Sequence, residues 1–385
     1  MDLNLYFNPV SLEKPDLSYL NEADSFGRSV SIHTPNTPIQ NIENYDVAIM
    51  GVEEDRNAHI QGSASAPDNI RKKLYLLGYV NKKTKIIDLG NLKRTENIND
   101  SYFAIRDVFL ELKERNIILI VLGGSQDLAM GISKAFEQSL KIWSVTSLDS
   151  RLDFGFGKED LSSKNYLDHL FRQKNYKNLN FINLGHQLYF SPTRLLDKYE
   201  KKGYSSVRLG IIRDNIASIE PILRDTDFLI SDLSIVKQSE APAASCPSPN
   251  GLSGSEFCQL LRYAGASSKM KAVLFSELIA DSDINKQSAH LSAQAIWYFI
   301  DGLSLKKDEN PQLKGSKKFI VSNSSSEQNI IFYKSNSTNR WWMEIPVKEK
   351  KSEKNILFSC SYEDYQKACI NEIPDRWWRF MRKFS

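Results

Sequence analysis

The chain has 385 residues, of which 41% are hydrophobic, so it is long enough to bury a substantial core in one large domain or in two. Its 50 basic and 47 acidic residues leave a formal net charge of +3, and this near balance argues against a nucleic acid as partner. No apolar run approaches the roughly 18 residues that a membrane-spanning helix needs, so we expect no membrane span.

Neither the first residues nor the cysteines indicate export. The segment Met1–Pro9 lacks the basic start and the apolar length of a signal peptide. The four cysteines form no C-x-x-C pair and have no histidine at zinc-binding spacing, so we expect reduced thiols in a cytoplasmic protein. Cys246 would need a lowered pKa and a nearby base to act as a nucleophile, and the sequence indicates neither.

From residue 45 onwards, apolar runs alternate with polar or helical stretches. The strand-like runs begin near Tyr45, Asn116, Lys141, Leu179, Val207, Asp227 and Ala272. Helices are predicted over residues 100–115, 255–264 and 288–303. Because the runs are continuously apolar rather than alternating, we expect strands that are covered on both faces. This order predicts an α/β fold, a three-layer α/β/α domain around a mostly parallel sheet.

Composition predicts four successive parts of the chain. They are an irregular N-terminal arm (1–44), the α/β/α domain (45–304), a polar linker (305–316) and a C-terminal β/α extension (317–385). In the extension, four short strands are expected to form a β-meander, followed by a helix that begins at Ser361 with Asp364 completing a capping box. A second short helix is expected after Pro374. The extension also holds four of the six tryptophans, Trp341, Trp342, Trp377 and Trp378.

Three polar segments follow predicted strands, at the sheet edge where functional groups gather. They are Gly123–Asp127 (GGSQD), Asp149–Asp153 (DSRLD) and Ile230–Ser234 (ISDLS), the last continuing to Pro247–Leu252 (PSPNGL). These segments resemble the metal-binding motifs of the ureohydrolases: arginase, agmatinase and formimidoylglutamase. The corresponding family patterns are G-G-D-H-S, D-A-H-x-D and S-x-D-x-D followed by a Gly/Pro-rich loop.

Further segments strengthen this resemblance, which covers roughly residues 46–302. Gly51–Asp55 and Gly62–Arg71 are similar to the family's early G-x-P-x-D and G-x-x-x-x-P-x-x-I-R segments, and Leu184–Gln187 is similar to the formimidoylglutamase branch. The resemblance implies an arginase-like fold. It also implies ancestry among enzymes in which two manganese ions bridge a hydroxide that attacks an amidine or guanidine carbon.

The resemblance is incomplete where the metal ligands belong. Gln126 and Arg151 stand at positions of the two family histidines, and Ser234 stands at that of the last aspartate. The carboxylates of Asp149, Asp153 and Asp232 remain, with the Gln126 amide as a fourth oxygen. We therefore predict a vestigial site with no resident cofactor, or at most one weakly bound Mn²⁺, Mg²⁺ or Ca²⁺ ion.

Arg151 suggests what replaces the second ion. Three converging aspartates need a counter-charge, and a guanidinium forms paired hydrogen bonds with carboxylates. We hypothesise that Arg151 occupies the vacated position and pairs with these acids; the alternative is an exposed residue at a strand end. Asp127 is expected either to join the ligands or to cap the helix that follows it.

A substrate-binding group is also predicted to be lost. The resemblance implies a glutamate in an E-x-N-P context after the last strand, where it holds the cationic end of the substrate. The alignment places Ala280 there, with Asp281 or Glu277 as substitutes if the alignment shifts. His59, His169 and His186 are expected to be packing or surface residues rather than ligands.

Three functions remain open from the sequence. The leading prediction is a pseudoenzyme that has lost the dimanganese site and works as a structural or interaction subunit, as a homo-oligomer or through its Trp-rich extension. The alternative is a metal-dependent hydrolase of linear C–N bonds, acting on formimidoylglutamate or a guanidino compound. A third possibility is a sensor that retains the pocket without turnover.

Overall fold

The computed structural model describes residues 1–11, 24–80, 83–137, 139, 141–155, 159–173, 176–312, 315–322, 329–349 and 352–384. These residues form a 10-stranded, mostly parallel sheet and a separate 4-stranded antiparallel sheet. No helix of the described residues is long and apolar enough to cross a membrane.

The large sheet contains the strands of the N-terminal two thirds of the chain. They are β1 (Phe7–Asn8), β2 (Ser31–Ile32), β3 (Val47–Gly51), β4 (Ile86–Leu92), β5 (Ile118–Leu122), β6 (Trp143–Leu148), β7 (Leu179–His186), β8 (Ser205–Arg208), β9 (Phe228–Asp232) and β10 (Ala272–Ser276). Their order is β1-β4-β3-β5-β10-β9-β6-β7-β8, with β2 beside β4. Only β1 is antiparallel to its neighbour, so the prediction of a mostly parallel sheet is confirmed.

Helices cover both faces of this sheet. The described helices of this part are α1 (Phe26–Ser29), α2 (Ala66–Leu74), α3 (Ile98–Glu114), α4 (Ala129–Lys134), α5 (Tyr166–Leu170), α6 (Thr193–Lys201), α7 (Leu209–Asp214), α8 (Glu220–Arg224), α9 (Gly254–Gly265) and α10 (Gln287–Leu303). Successive strand residues enter opposite cores: Ile49 joins α2, α9 and α10, whereas Met50 joins α3, α4 and α5. This alternation produces the predicted three layers.

The structure differs from the prediction at the N-terminal side of the sheet. Strand β4 was not predicted, and two short strands of the expected irregular arm, β1 and β2, pair with it. The predicted strand near Val207 ends at Arg208, and its apolar continuation forms helix α7 instead. The proposed boundaries of the arm, domain, linker and extension remain predictions.

The C-terminal extension is a β-meander with two helices, as predicted. Its elements are β11 (Ser316–Val321), β12 (Ile330–Ser335), β13 (Trp341–Glu349), β14 (Ser352–Cys360), α11 (Tyr362–Cys369) and α12 (Asp375–Phe384). The strands pair in sequence order. The capping box is present, because Ser361 and Asp364 bond each other's backbone N–H groups.

The tryptophans of the extension mainly stabilise the extension itself. Trp341, Trp342 and Trp377 are buried, and Trp341 and Trp377 belong to its own core, whereas Trp378 is 51% exposed. The extension docks on α8, where Arg224 lies 4.7 Å from the ring centroid of Trp342 and Asp225 accepts a hydrogen bond from the backbone N–H of Ser359. Most of the aromatic cluster is therefore unavailable to an external partner.

Candidate metal centre

Four neighbouring strands bring the candidate site residues together. Strands β5, β10, β9 and β6 lie side by side and run parallel, so their carboxyl ends meet at one edge of the sheet. Asp149 follows β6, Asp232 ends β9, and Gln126 lies beyond β5. Glu277 follows β10, the strand that lies between β5 and β9. The site is thus assembled by strand order rather than by proximity along the chain.

Three carboxylates form the centre of this site. One oxygen from each of Asp149, Asp153 and Asp232 lies within 4.8 Å of the others, and the three residues are 1%, 9% and 5% exposed. The sequence prediction named all three. Three carboxylate oxygens this close together are able to supply part of the ligand shell of a divalent cation.

Local hydrogen bonds orient two of these acids. Asp149 Oδ1 accepts a hydrogen bond from the backbone N–H of Arg151 (2.8 Å), and Asp149 Oδ2 accepts one from Gln126 Nε2 (3.2 Å). Asp232 Oδ1 accepts one from the backbone N–H of Ser234 (2.6 Å). The bonds from Arg151 and Ser234 are local turns at strand ends, whereas the bond from Gln126 comes from the segment after β5.

Gln126 reaches the site because the chain reverses sharply after β5. Gly123 and Gly124 both have positive φ angles (84° and 73°), and a Cβ on Gly123 would lie 2.4 Å from Pro67 Cδ. The amide nitrogen of Gln126 bonds Asp149, while its buried Oε1 has no hydrogen-bond partner in the described structure. An unpartnered buried oxygen beside three carboxylates is a free ligand atom for a cation.

Glu277 is the acid that the sequence prediction underrated. It is 3% exposed, has a φ of 65°, and its Oε1 accepts a hydrogen bond from the Gln126 backbone N–H (2.8 Å). A left-handed conformation is unfavourable for a glutamate and is retained where the surroundings demand it. Its place directly after a buried strand was the available signal.

Burial and mutual repulsion raise the pKa of every acid in this group. Burial is the main cause in each case, and nearby carboxylates add to it. The pKa of Asp149 and that of Asp232 are raised well above the ordinary value, the pKa of Asp153 rises to about 8, and that of Glu277 also rises. None of the ion pairs of the described residues gives these acids a basic partner. The group must therefore hold protons or a cation.

Arg151 is close to the acids but does not pair with them. Its guanidinium carbon lies 3.8 Å from the ring centroid of Phe190, and its Nε is buried without a hydrogen-bond partner. It still lowers the pKa of Asp153 through its charge, although burial outweighs this effect. The expected carboxylate pairing is thus absent in the described structure. Occupation of a second-metal position by Arg151 stays a prediction.

Two positions predicted as lost have structural contacts instead. The Ser234 hydroxyl lies 3.3 Å from that of Ser150, beside the cluster. Ala280 is fully buried in a 3-10 turn, where its N–H bonds the carbonyl of Gly62. From this segment, Glu277 is the acid whose charge raises the pKa of Asp153 and of Asp232, after the larger effect of burial. Which residue corresponds to the family glutamate stays a prediction.

The Pro/Gly-rich loop closes beside Asp232. Backbone bonds join Lys237 to Leu252 (3.0 Å) and Leu252 to Ile235 (2.9 Å). Gly251 is required here, because a Cβ would lie 2.5 Å from the backbone nitrogen of Lys237. The loop therefore folds back tightly on the segment after β9, although it lacks some glycines of the family pattern.

The other candidate groups lie outside the three-carboxylate cluster of the described residues. The Asp127 carboxylate accepts hydrogen bonds from the Ser125 and Tyr102 hydroxyls, and Asp127 is not the residue that caps a helix. Burial raises the pKa of Cys246, which disfavours a thiolate nucleophile. Burial also lowers the pKa of His186, whose Nδ1 has no hydrogen-bond partner. This histidine packs at the end of β7.

Comparisons with known proteins agree with this geometry. Residues 45–301 match the arginase family. The formimidoylglutamase of Photorhabdus laumondii is 23% identical over 268 residues, which cover 65% of this chain and 84% of that protein. The chain belongs to the arginase family, and the predicted likeness to its formimidoylglutamase branch is confirmed.

Solved structures show the same fold. The crystal structure of Trypanosoma cruzi formiminoglutamase with Mn²⁺₂ has a TM-score of 0.64 at 20% identity and covers 70% of this chain and 97% of that one. The Bacillus subtilis formimidoylglutamase has a TM-score of 0.65 at 18% identity and covers 77% and 97%.

The prediction about cofactors is wrong. We expected none, or at most one weakly held ion, because three family ligands are replaced. A structurally similar relative contains Mn²⁺, and this chain gathers three carboxylates that are able to bind a metal. The replacements changed the donor set, but the anionic centre of the site is intact because its aspartates lie at the ends of neighbouring strands.

Proposed function

We propose that this chain is a metal-dependent hydrolase that cleaves a linear C–N bond other than a peptide bond. Its substrates would be formimidoylglutamate or a guanidino compound. One observation carries the proposal: three buried carboxylates converge within 4.8 Å, and no described ion pair neutralises them. The formimidoylglutamases among its relatives support the reaction class.

The residues have distinct roles in this proposal. Asp149, Asp153 and Asp232 would hold the cation, with Gln126 Oε1 as a further oxygen donor. When bound, such a cation activates water and polarises the carbon under attack. Glu277 holds the Gln126 backbone in place and supplies negative charge for a cationic amidine or guanidinium group.

The proposal is tested by measuring metal content and turnover on the same preparation. The protein is stripped with chelator, dialysed against Mn²⁺ and analysed for metal per chain. It is then assayed for formamide release from formimidoylglutamate and for urea release from arginine and agmatine. We expect bound metal and one active substrate.

Two variants serve as comparisons. Asp232→Ala should lose metal and activity together, while Asp214→Ala, an exposed acid on α7, should change neither. Failure to bind metal would contradict the proposal.

A specific observation favours a second candidate function. Gln126, Arg151 and Ser234 stand where the family pattern has ligands, and Arg151 adds positive charge beside the cluster. These replacements suit a non-catalytic member that works as a structural or interaction subunit. Metal binding without turnover of any of the three substrates would support this candidate over the hydrolase.

A further inference from the structure

A cavity that contains none of the clustered acids lies where the extension meets the α/β domain. Its volume is about 410 Å³. One wall is the end of α6 with the turn through Gly203 and Tyr204, and the other is α12 of the extension. A cavity of this size accommodates a small organic molecule.

The lining of this cavity is strongly basic. It contains six basic side chains, Lys177, Lys201, Lys202, Arg379, Arg382 and Lys383, and the single acid Glu200. None of the ion pairs of the described residues includes any of these six. Some of them lie in the last turns of α6 and α12, where a basic residue offsets the helix dipole. That dipole amounts to only about half a charge per helix, so most of the positive charge remains uncompensated.

Lys383 is the strongest indication that an anion belongs here. Its Nζ is buried, has no hydrogen-bond partner in the described structure, and lies 3.8 Å from the ring centroid of Tyr204. Burial lowers the pKa of this amine to about 7. A buried ammonium group without an acceptor is unfavourable, and an anionic ligand would supply the missing acceptor.

Trp378 adds an aromatic surface to the same cavity. It lines the cavity and is 51% exposed, in contrast to the buried tryptophans of the extension. A flat aromatic base stacks on such a ring with little dependence on the identity of the base. Multiple cations beside an exposed tryptophan match a phosphate-bearing ligand.

We propose that this cavity binds a small molecule with two or more phosphate groups. The basic side chains contact the phosphates, and Trp378 stacks on a base where the ligand is a nucleotide. Inorganic polyphosphate and nucleotides both carry linked phosphate groups. Only nucleotides also carry an aromatic base.

Calorimetric titration of the full chain tests the proposal. Tripolyphosphate and ATP are titrated separately without added metal, and both should bind with an affinity that falls as salt is raised. Lys383→Met keeps an aliphatic side chain beside Gly203 and removes the charge, so we expect about tenfold weaker binding of both ligands. Lys367→Met is the control, because Lys367 is a last-turn lysine of α11 outside the cavity.

Two further variants distinguish loss of binding from loss of folding and a nucleotide from a polyphosphate. If Lys383→Met unfolds at a lower temperature than the parent chain, Lys201→Met on the opposite wall replaces it. Trp378→Ala should weaken ATP about tenfold and leave tripolyphosphate unchanged if a nucleotide is the natural ligand class. If Trp378→Ala leaves the affinity for both ligands almost unchanged, inorganic polyphosphate is supported as the ligand class. Absence of binding, or binding that Lys383→Met and Lys367→Met change equally, would overturn the proposal.

Discussion

Two buried clusters of charged side chains in this protein differ in whether the chain itself supplies the opposite charge. Arg71 and Asp88 are both fully buried, and they form two parallel hydrogen bonds of 2.9 Å. Tyr75 and the Gly90 N–H complete the shell of Asp88. In the acid cluster at Asp149, by contrast, the carboxylates form no ion pair with a basic side chain of the described residues.

The difference separates a structural role from a binding role. A buried charge that only stabilises a fold is neutralised within the chain, as at Asp88, or at Asp225, whose pKa is lowered by Lys269 and Arg376 against the effect of burial. A buried anionic group without such a partner destabilises the fold unless something outside the chain neutralises it. This contrast supports the proposal that the acid cluster binds a cation.

The largest expected effect is at the neutralised cluster. Asp88→Ala removes the fully buried carboxylate that bonds Arg71 and leaves the buried guanidinium with the partly exposed Asp68 as its acid, so we expect a loss of about 3–5 kcal/mol in the free energy of unfolding. Urea denaturation measures this loss. Asp68→Ala is the matched control, since Asp68 also bonds Arg71 but its side chain is 36% exposed; its effect should stay below about 1 kcal/mol. Equal losses for both variants would contradict the comparison.

The next effect concerns the docking of the extension. Asp225 accepts hydrogen bonds from the Ser359 backbone and hydroxyl and lies near Arg376, so Asp225→Ala should cost about 2–3 kcal/mol. Because these contacts join the extension to α8, we expect the calorimetric transition to split. Glu220→Ala removes longer ion pairs of a more exposed acid, one of them to Arg340 of the extension, and should leave one transition.

Metal-free protein should lose stability as pH rises. The pKa of Asp153 is about 8 in the folded chain against an ordinary 3.8, so the folded state binds more protons than the unfolded state between these values. The melting temperature in chelator should therefore fall from pH 5 to pH 8. Mn²⁺ should raise it more at pH 8 than at pH 6, because the metal binds the ionised acids.

The same melting series has an internal check. Asp153→Asn removes a group whose ionisation opposes folding, so its profile in chelator should be flatter than that of the parent chain. A parent profile that rises between pH 5 and pH 8 would contradict the assignment of the acid cluster.

The smallest effect sharpens the role of Arg151. Arg151→His removes a cation beside the carboxylates and restores the residue type of the family pattern, so we expect about tenfold tighter Mn²⁺ binding. The stability cost should be about 0.5–1 kcal/mol, from the lost stacking on Phe190. Arg151→Gln separates the two causes, since it removes the charge without adding an imidazole.

Part of the fold was predictable because it depends on local pattern. Continuous apolar runs identified the central strands β3, β5, β6, β9 and β10, and their polar ends identified Asp149, Asp153 and Asp232. Strand β4 was not recognised from an apolar run, because three of its buried positions hold Asp88, Gly90 and Asn91. These residues are compatible with a buried strand only because Arg71 comes from α2 to bond them.

The sequence by itself determined the layered fold, the family and the three aspartates, since each is written in short, local patterns of residue type. Only the tertiary structure decided that Glu277 bonds the Gln126 backbone beside the acids, that Arg151 stacks on Phe190, and that a basic cavity forms at α12. These outcomes depend on which strands become neighbours and where the extension docks. Both involve contacts between residues far apart in the chain, which local pattern does not encode.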